Sequence, residues 1–179
     1  LFLEGDRFQE ALREKEESFK KSPVREAAFA GKSYEKDPGR LKIQFEGYFK
    51  EPDGPGSPVQ RESVSGVKGV IAPHIDFQRG GYCYAFAHRE IRERNSSHCF
   101  IIFGTAHTPM ENTFCLTRKD FITPLGTLNV DKELVDAIQS RCPDNLFKDE
   151  GVHRSEHSIE FQCLFLRYLF PEPIPLKIV

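Results

Sequence analysis

Two short apolar segments that each end at a histidine constrain this sequence most strongly. Residues 67–74 read VKGVIAPH, and residues 99–107 read CFIIFGTAH. A short apolar run without polar alternation is typical of a strand covered on both faces, as in a parallel sheet. We therefore predict buried strands over 67–73 and 99–103. With helical patterns between them, they predict an α/β layered domain with a mostly parallel central sheet and helices on both faces.

The ends of these two strands predict a shared site. In open α/β sheets the ligand lies outside the carboxyl ends of the strands, so His74 and His107 are expected on one rim. Neutral imidazole is the commonest metal ligand in proteins. The alternative is that each histidine only caps its strand by hydrogen bonding.

A third candidate is the segment HRSEHSIE at residues 153–160. Ser155 is the predicted N-cap of a helix, and His157 and Glu160 lie three residues apart on one face of its first turn. The positive end of the helix dipole favours a neutral imidazole, which accepts a proton readily. The alternative is a polar helix entrance with no chemical role.

Other elements are predicted from local patterns. We expect an exposed helix over 6–21, within an N-terminal extension of residues 1–22, and a Pro/Gly/Ser-rich loop over 51–66. Further helices are expected after Asp37-Pro38, over 82–94, after the cap Asp131, and over 157–170. The sequence TFCLT and the segment from Leu176 predict strands, whereas 121–130 is expected to be irregular.

Composition excludes several classes of function. Lys and Arg number 25 against 27 Asp and Glu, a net charge of −2, so no electrostatic footprint for nucleic acid exists. No apolar run is long enough to span a membrane. The five cysteines form no CxxC pair, which predicts a reducing, cytoplasmic location, and four of them are expected in the core (Cys83, Cys99, Cys115 and Cys163).

Four motifs in order carry a family resemblance: APHIDFQRGG, IIFGTAHTP, TPLGTLNVD and EHSIEFQ. Together with VREAAFAGKSYEKDPGRL upstream, they make residues 23–179 resemble the Memo family in its bacterial and archaeal form, which is named for association with a radical-SAM protein. The fold of that family is similar to that of class III extradiol dioxygenases, non-haem Fe(II) enzymes that bind catechols. The resemblance thus implies a metal-binding protein of dioxygenase type.

The resemblance also implies roles for individual residues. His74 and His107 match metal ligands, for Fe(II) first and for Cu or Zn as alternatives. His157 matches an acid/base, Glu160 is its motif partner, and the pocket residues are expected to be Asp76, Thr105 and Arg79. The third ligand of the family falls after residue 179, so we expect the chain to be truncated within a larger domain.

The resemblance leaves the function open between two classes. One is an oxidoreductase acting on a small, aromatic substrate. The other is a non-catalytic binding or adaptor protein that takes a peptide in the same cleft, or a partner of a radical-SAM enzyme.

Overall fold

The computed structural model describes residues 5–59, 66–94 and 96–179. In chain order the elements are α1 (Asp6–Lys21), β1 (Val24–Arg25), α2 (Pro38–Phe49), α3 (Phe77–Arg94), β2 (Cys99–Phe100), β3 (Asp120–Thr123), β4 (Gly126–Val130), α4 (Lys132–Gln139), a 3₁₀ helix (Glu150–Arg154), α5 (His157–Leu169) and β5 (Lys177–Ile178). Residues 1–4 of the expected extension and 60–65 of the expected loop lie outside the described residues.

The strands form a five-stranded sheet in the order β1-β3-β4-β5-β2. Strand β1 is parallel to β3, and β5 is parallel to both β4 and β2, whereas β3 and β4 form an antiparallel hairpin. The prediction of an α/β domain with a mostly parallel sheet is confirmed.

Helices α2 and α4 begin where the sequence predicts a capping residue. The Asp37 carboxylate accepts the N–H of Arg40 at 2.8 Å, and Asp131 caps α4 by accepting from Leu134 at 3.1 Å. Helix α3 starts at Phe77, earlier than expected, because Asp76 supplies a cap. Its side chain accepts the N–H of Arg79 at 3.1 Å, and its carbonyl accepts that of Gly80 at 2.9 Å.

The predicted strand over 67–73 is wrong, and the one over 99–103 is too long. Residues 67–73 are irregular, and Ile71 is 99% exposed. Strand β2 covers only Cys99–Phe100, and its pairing extends to the bond from the Ile102 N–H to the Val179 carbonyl. Apolar composition alone does not make a strand: in the described part of the chain neither segment has a further ladder partner.

The predictions for residues 113–130 are also corrected. The sequence TFCLT is irregular, whereas 121–130, expected to be irregular, belongs to the β3–β4 hairpin. Gly126 adopts a φ of +124° at the turn, a conformation that residues with a Cβ rarely adopt. The Thr123 hydroxyl donates to the Gly126 carbonyl at 2.7 Å and closes the loop. The Pro-Leu-Gly sequence, which predicted irregular structure, therefore makes the tight turn of a hairpin.

The core is built around α5. Phe45 of α2 stacks on Phe165 with ring centres 4.3 Å apart, and Phe77 of α3 lies 4.6 Å from Phe161. Of the cysteines expected in the core, Cys163 is buried but Cys83 is exposed, because it lies on the outer face of α3. All five cysteines are free, and the cytoplasmic location stays a prediction. Within the described ranges, no helix is both long and apolar enough to cross a membrane.

Candidate metal centre

Three imidazoles from three separate segments meet in one open cleft. The ring centre of His74 lies 5.2 Å from that of His107 and 5.9 Å from that of His157, and the rings of His107 and His157 stack at 4.6 Å. The cleft has a volume of about 660 Å³. The structure thus brings together the three histidines that the sequence singled out, although the segment before His74 is not a strand.

Helix α5 holds the two loops that carry His74 and His107. The Gln162 amide donates to the carbonyl of Pro73 at 2.9 Å, and the Ser158 hydroxyl donates to the carbonyl of Thr105 at 3.0 Å. From α3, the Tyr84 hydroxyl donates to the carbonyl of Ile75 at 3.1 Å. Each loop is held by a hydrogen bond to a backbone carbonyl within two residues of its histidine. The packing of α3 and α5 therefore positions the walls of the cleft.

Glu156, rather than the expected Ser155, caps α5. Its carboxylate accepts the N–H groups of His157 at 2.8 Å and Ser158 at 2.9 Å. It also accepts the backbone N–H of His107 at 2.9 Å and lies 3.0 Å from His107 Nδ1. Burial opposes ionisation of Glu156, but these hydrogen bonds prevail and lower its pKa to about 2. The only local signal of this role is an acidic residue directly before the helix.

His157 is the first residue of α5 and lies between aromatic rings. Phe29 meets it edge-on at 5.7 Å, and Phe161 lies 5.3 Å away. Burial holds the pKa of His157 below its usual range, and the charges of His107 and His74 act in the same direction against the attraction of Glu156. The neutral imidazole, which can accept a proton, is therefore favoured.

Glu160 lies one turn further along α5, and its side chain is 1% exposed. Its carboxylate pairs with Arg25, accepts the hydroxyl of Tyr34, and accepts the backbone N–H groups of Ala28 at 3.2 Å and Phe29 at 3.1 Å. Both oxygens are thus engaged with the segment 25–34. The catalytic partnership with His157 that the resemblance implied stays untested, whereas the contacts give Glu160 an anchoring role.

The three expected pocket residues separate into two places. Asp76 and Arg79 line the cleft beside His74 and pair with each other, Arg79 Nε donating to Asp76 at 2.6 Å. The Arg79 hydrogen bond lowers the pKa of Asp76 below its ordinary range. Thr105 is exposed and lines a neighbouring apolar cleft, not the one that holds the three histidines.

The chain matches a known protein family over most of its length. A family model described as "Memo-like protein" matches residues 25–179, which include all three histidines. The chain belongs to the Memo family. The resemblance carried by the four motifs is therefore confirmed, while the relation to dioxygenases stays a prediction.

The matches to curated Memo relatives cover most of this chain but only about half of each relative. A MEMO1 family protein of Aquifex aeolicus is 33% identical over 171 residues, which cover 95% of this chain and 43% of the relative. One from Methanothermobacter thermautotrophicus is 35% identical over 146 residues, covering 81% and 52%, respectively. One from Methanopyrus kandleri is 32% identical over 150 residues, covering 83% and 53%. The chain thus spans about half the length of these Memo proteins.

Proposed function

We propose that this Memo protein binds a divalent metal ion through His74 and His107, and that His157 transfers protons beside it. The observation that carries the proposal is the convergence of three imidazoles from three segments in one cleft. Two imidazoles bound to one ion at about 2.1 Å have ring centres about 5 Å apart. The 5.2 Å between His74 and His107 is compatible with this arrangement.

The donor set fits the metals that imidazole prefers. Imidazole suits Fe, Cu and Zn, and two histidines plus a third ligand, with open coordination positions, suit Fe(II) in particular. When bound, such an ion would act as a Lewis acid and, if redox-active, would support oxidation of a substrate by O₂. We therefore place Fe(II) first, with Cu or Zn as alternatives, and propose an oxidoreductase of dioxygenase type.

The remaining cleft residues support the handling of a small, flat substrate. Phe29 and Phe161 line the cleft beside His157, and the half-buried Phe29 offers apolar surface for an aromatic ring, whereas Phe161 is only 2% exposed. The neutral form of His157 allows it to remove a proton from a substrate hydroxyl within hydrogen-bond reach. Asp76 and Arg79 also line the cleft and supply polar groups to it.

The alternative binding function receives less support from the charges. A phosphate-recognising adaptor needs clustered arginines with free donors. Arg79 is the one cation among the described residues that line the cleft, and Asp76 pairs with it. A radical-SAM partner also stays a proposal, since no contact in the described part of the chain favours it.

Metal binding is the first test. Purified protein should bind about one equivalent of Fe(II) or Zn²⁺ in anaerobic calorimetry and elemental analysis. His74→Ala and His107→Ala should each remove most of this binding. His98→Ala is the matched control, because His98 is exposed and does not line the cleft. Failure of the wild-type protein to bind, or binding unchanged in both variants, would sink the proposal.

Oxygen uptake tests the reaction class. With Fe(II) bound, a panel of catechols should include at least one that drives O₂ consumption, and His157→Gln should slow that consumption. A metal-loaded protein that consumes no O₂ with any catechol would instead favour the binding or partner function.

A further inference from the structure

We propose that Glu156 is the positioning residue of the cleft: it fixes His107 as the tautomer with hydrogen on Nδ1 and so presents Nε2 as the ligand atom. The part of this inference that concerns the ligand atom for a metal rests on the proposed function. The tautomer itself can be tested without any metal.

The hydrogen-bonding capacity of Glu156 argues that it orients and does not ligate. An ionised carboxylate has about four lone-pair sites. Four donors occupy them: the backbone N–H groups of His107, His157 and Ser158, and Nδ1 of His107. Although Glu156 lies close enough to His107 and His157 to form a candidate metal cluster, its oxygens are already used.

The contact with His107 determines where the ring carries its hydrogen. An ionised carboxylate can only accept, so Nδ1 at 3.0 and 3.1 Å from the two Glu156 oxygens must donate. In the neutral ring, Nε2 then carries the lone pair. The same carboxylate accepts the His107 backbone N–H at 2.9 Å, so both the main chain and the ring are held by one group.

Burial protects the contact between Glu156 and His107 from competition by water. Glu156 is 7% exposed, whereas the His107 side chain is 46% exposed. Solvent competes weakly for the carboxylate, and a buried unpaired acceptor would be unfavourable. The ring is therefore anchored at its buried nitrogen and open at the other. A carboxylate placed in this way typically raises the affinity of a histidine ligand for metal.

Glu156→Gln tests the inference, because it keeps the size and an acceptor for the cap but offers N–H donors to Nδ1. In the wild-type protein, long-range ¹H–¹⁵N correlation spectra should show hydrogen on Nδ1 of His107. In Glu156→Gln the population should move toward hydrogen on Nε2. The affinity for Zn²⁺ measured by calorimetry should fall about 10- to 100-fold.

Glu150→Gln is the matched control, since Glu150 is partly buried and bonds Thr117 outside the cleft. It should leave both the His107 spectrum and the Zn²⁺ affinity unchanged. Hydrogen on Nε2 in the wild type overturns the inference even if Glu156→Gln fails to fold, as does an unchanged tautomer in a folded variant. If the wild type binds no Zn²⁺ but shows the expected tautomers, the proposed metal function fails and the positioning role stands.

Discussion

Removing the charge of Glu160 should destabilise the protein more than any surface change. Arg25 and Glu160 form an ion pair in which each side chain is 1% exposed. Glu160→Gln leaves the guanidinium of Arg25 in the interior with carbonyl acceptors but without a counter-charge. The guanidinium still donates to the carbonyls of His153 at 2.9 Å and Glu156 at 2.8 Å, but these neutral acceptors cannot replace a negative charge.

The expected loss in the free energy of unfolding is about 3–5 kcal/mol, the range for breaking a buried pair from one side. Tyr34→Phe removes a single hydrogen bond to the same carboxylate and should lose about 1.5–3 kcal/mol. The ranking of the two variants follows from the number of donors each change affects. Glu160 holds Arg25, Tyr34 and two backbone N–H groups, whereas Tyr34 contributes one bond.

Urea unfolding followed by far-UV circular dichroism at pH 7 provides the assay, because the chain contains no tryptophan. Glu111→Gln is the control, since its pair with Lys148 has side chains 70% and 50% exposed, respectively. This variant should change stability by less than about 1 kcal/mol. A loss below about 1 kcal/mol for Glu160→Gln, at an unchanged denaturant slope, would refute the buried-pair reasoning.

Three other changes test separate parts of the fold. Burial lowers the pKa of His88 to about 4 from 6.5. The contribution of the neutral imidazole to the free energy of unfolding is therefore complete above pH 6.5 and is lost as the pH falls toward 4. In urea titrations at pH 7.5 and 5, the free energy of unfolding of His88→Phe should change less with pH than that of the wild type. An equal change in both proteins would contradict this. Gly81→Ala should destabilise by about 1–2 kcal/mol, because its Cβ would lie 2.6 Å from Cδ1 of Tyr48, whereas Gly47→Ala has open space and should stabilise by about 0.5 kcal/mol. If chemical denaturation shows Gly81→Ala to be more stable than Gly47→Ala, the close packing of Gly81 against Tyr48 is excluded. Asp37→Ala should lose about 1 kcal/mol by removing the α2 cap, and an unchanged melting temperature would argue against the cap.

The helices could be predicted from the sequence because their signals are local. Asp37-Pro38 and Asp131 each mark a first turn within a few residues, and the structure places α2 and α4 there. Strands depend on a partner elsewhere in the chain, and composition does not reveal that partner. This is why the apolar segment 67–73 was wrongly expected to be a strand, while the hairpin at 120–130 was missed.

In the site, too, local features could be predicted and contacts between distant segments could not. His74 and His107 stood out because each comes directly after a short apolar run. Their meeting depends on contacts from α5 to Pro73 and Thr105, which no local pattern reports. Glu156 was missed because its role depends on His107, which lies 49 residues away. A chemically distinctive residue type can be found in the sequence, but the group that orients it is determined by tertiary packing.

Two carboxylates four residues apart connect α5 to two different walls of the cleft. Glu156 holds the loop of His107, while Glu160 binds the N–H of Phe29, whose ring packs on His157. Loss of Glu160 should therefore disturb both the fold and the wall beside His157, since the same carboxylate supports both. Loss of Glu156 removes the group that holds His107 and also caps α5. A change in the tautomer of His107 should thus follow loss of Glu156 and not loss of Glu160, although both residues lie within one turn of the same helix.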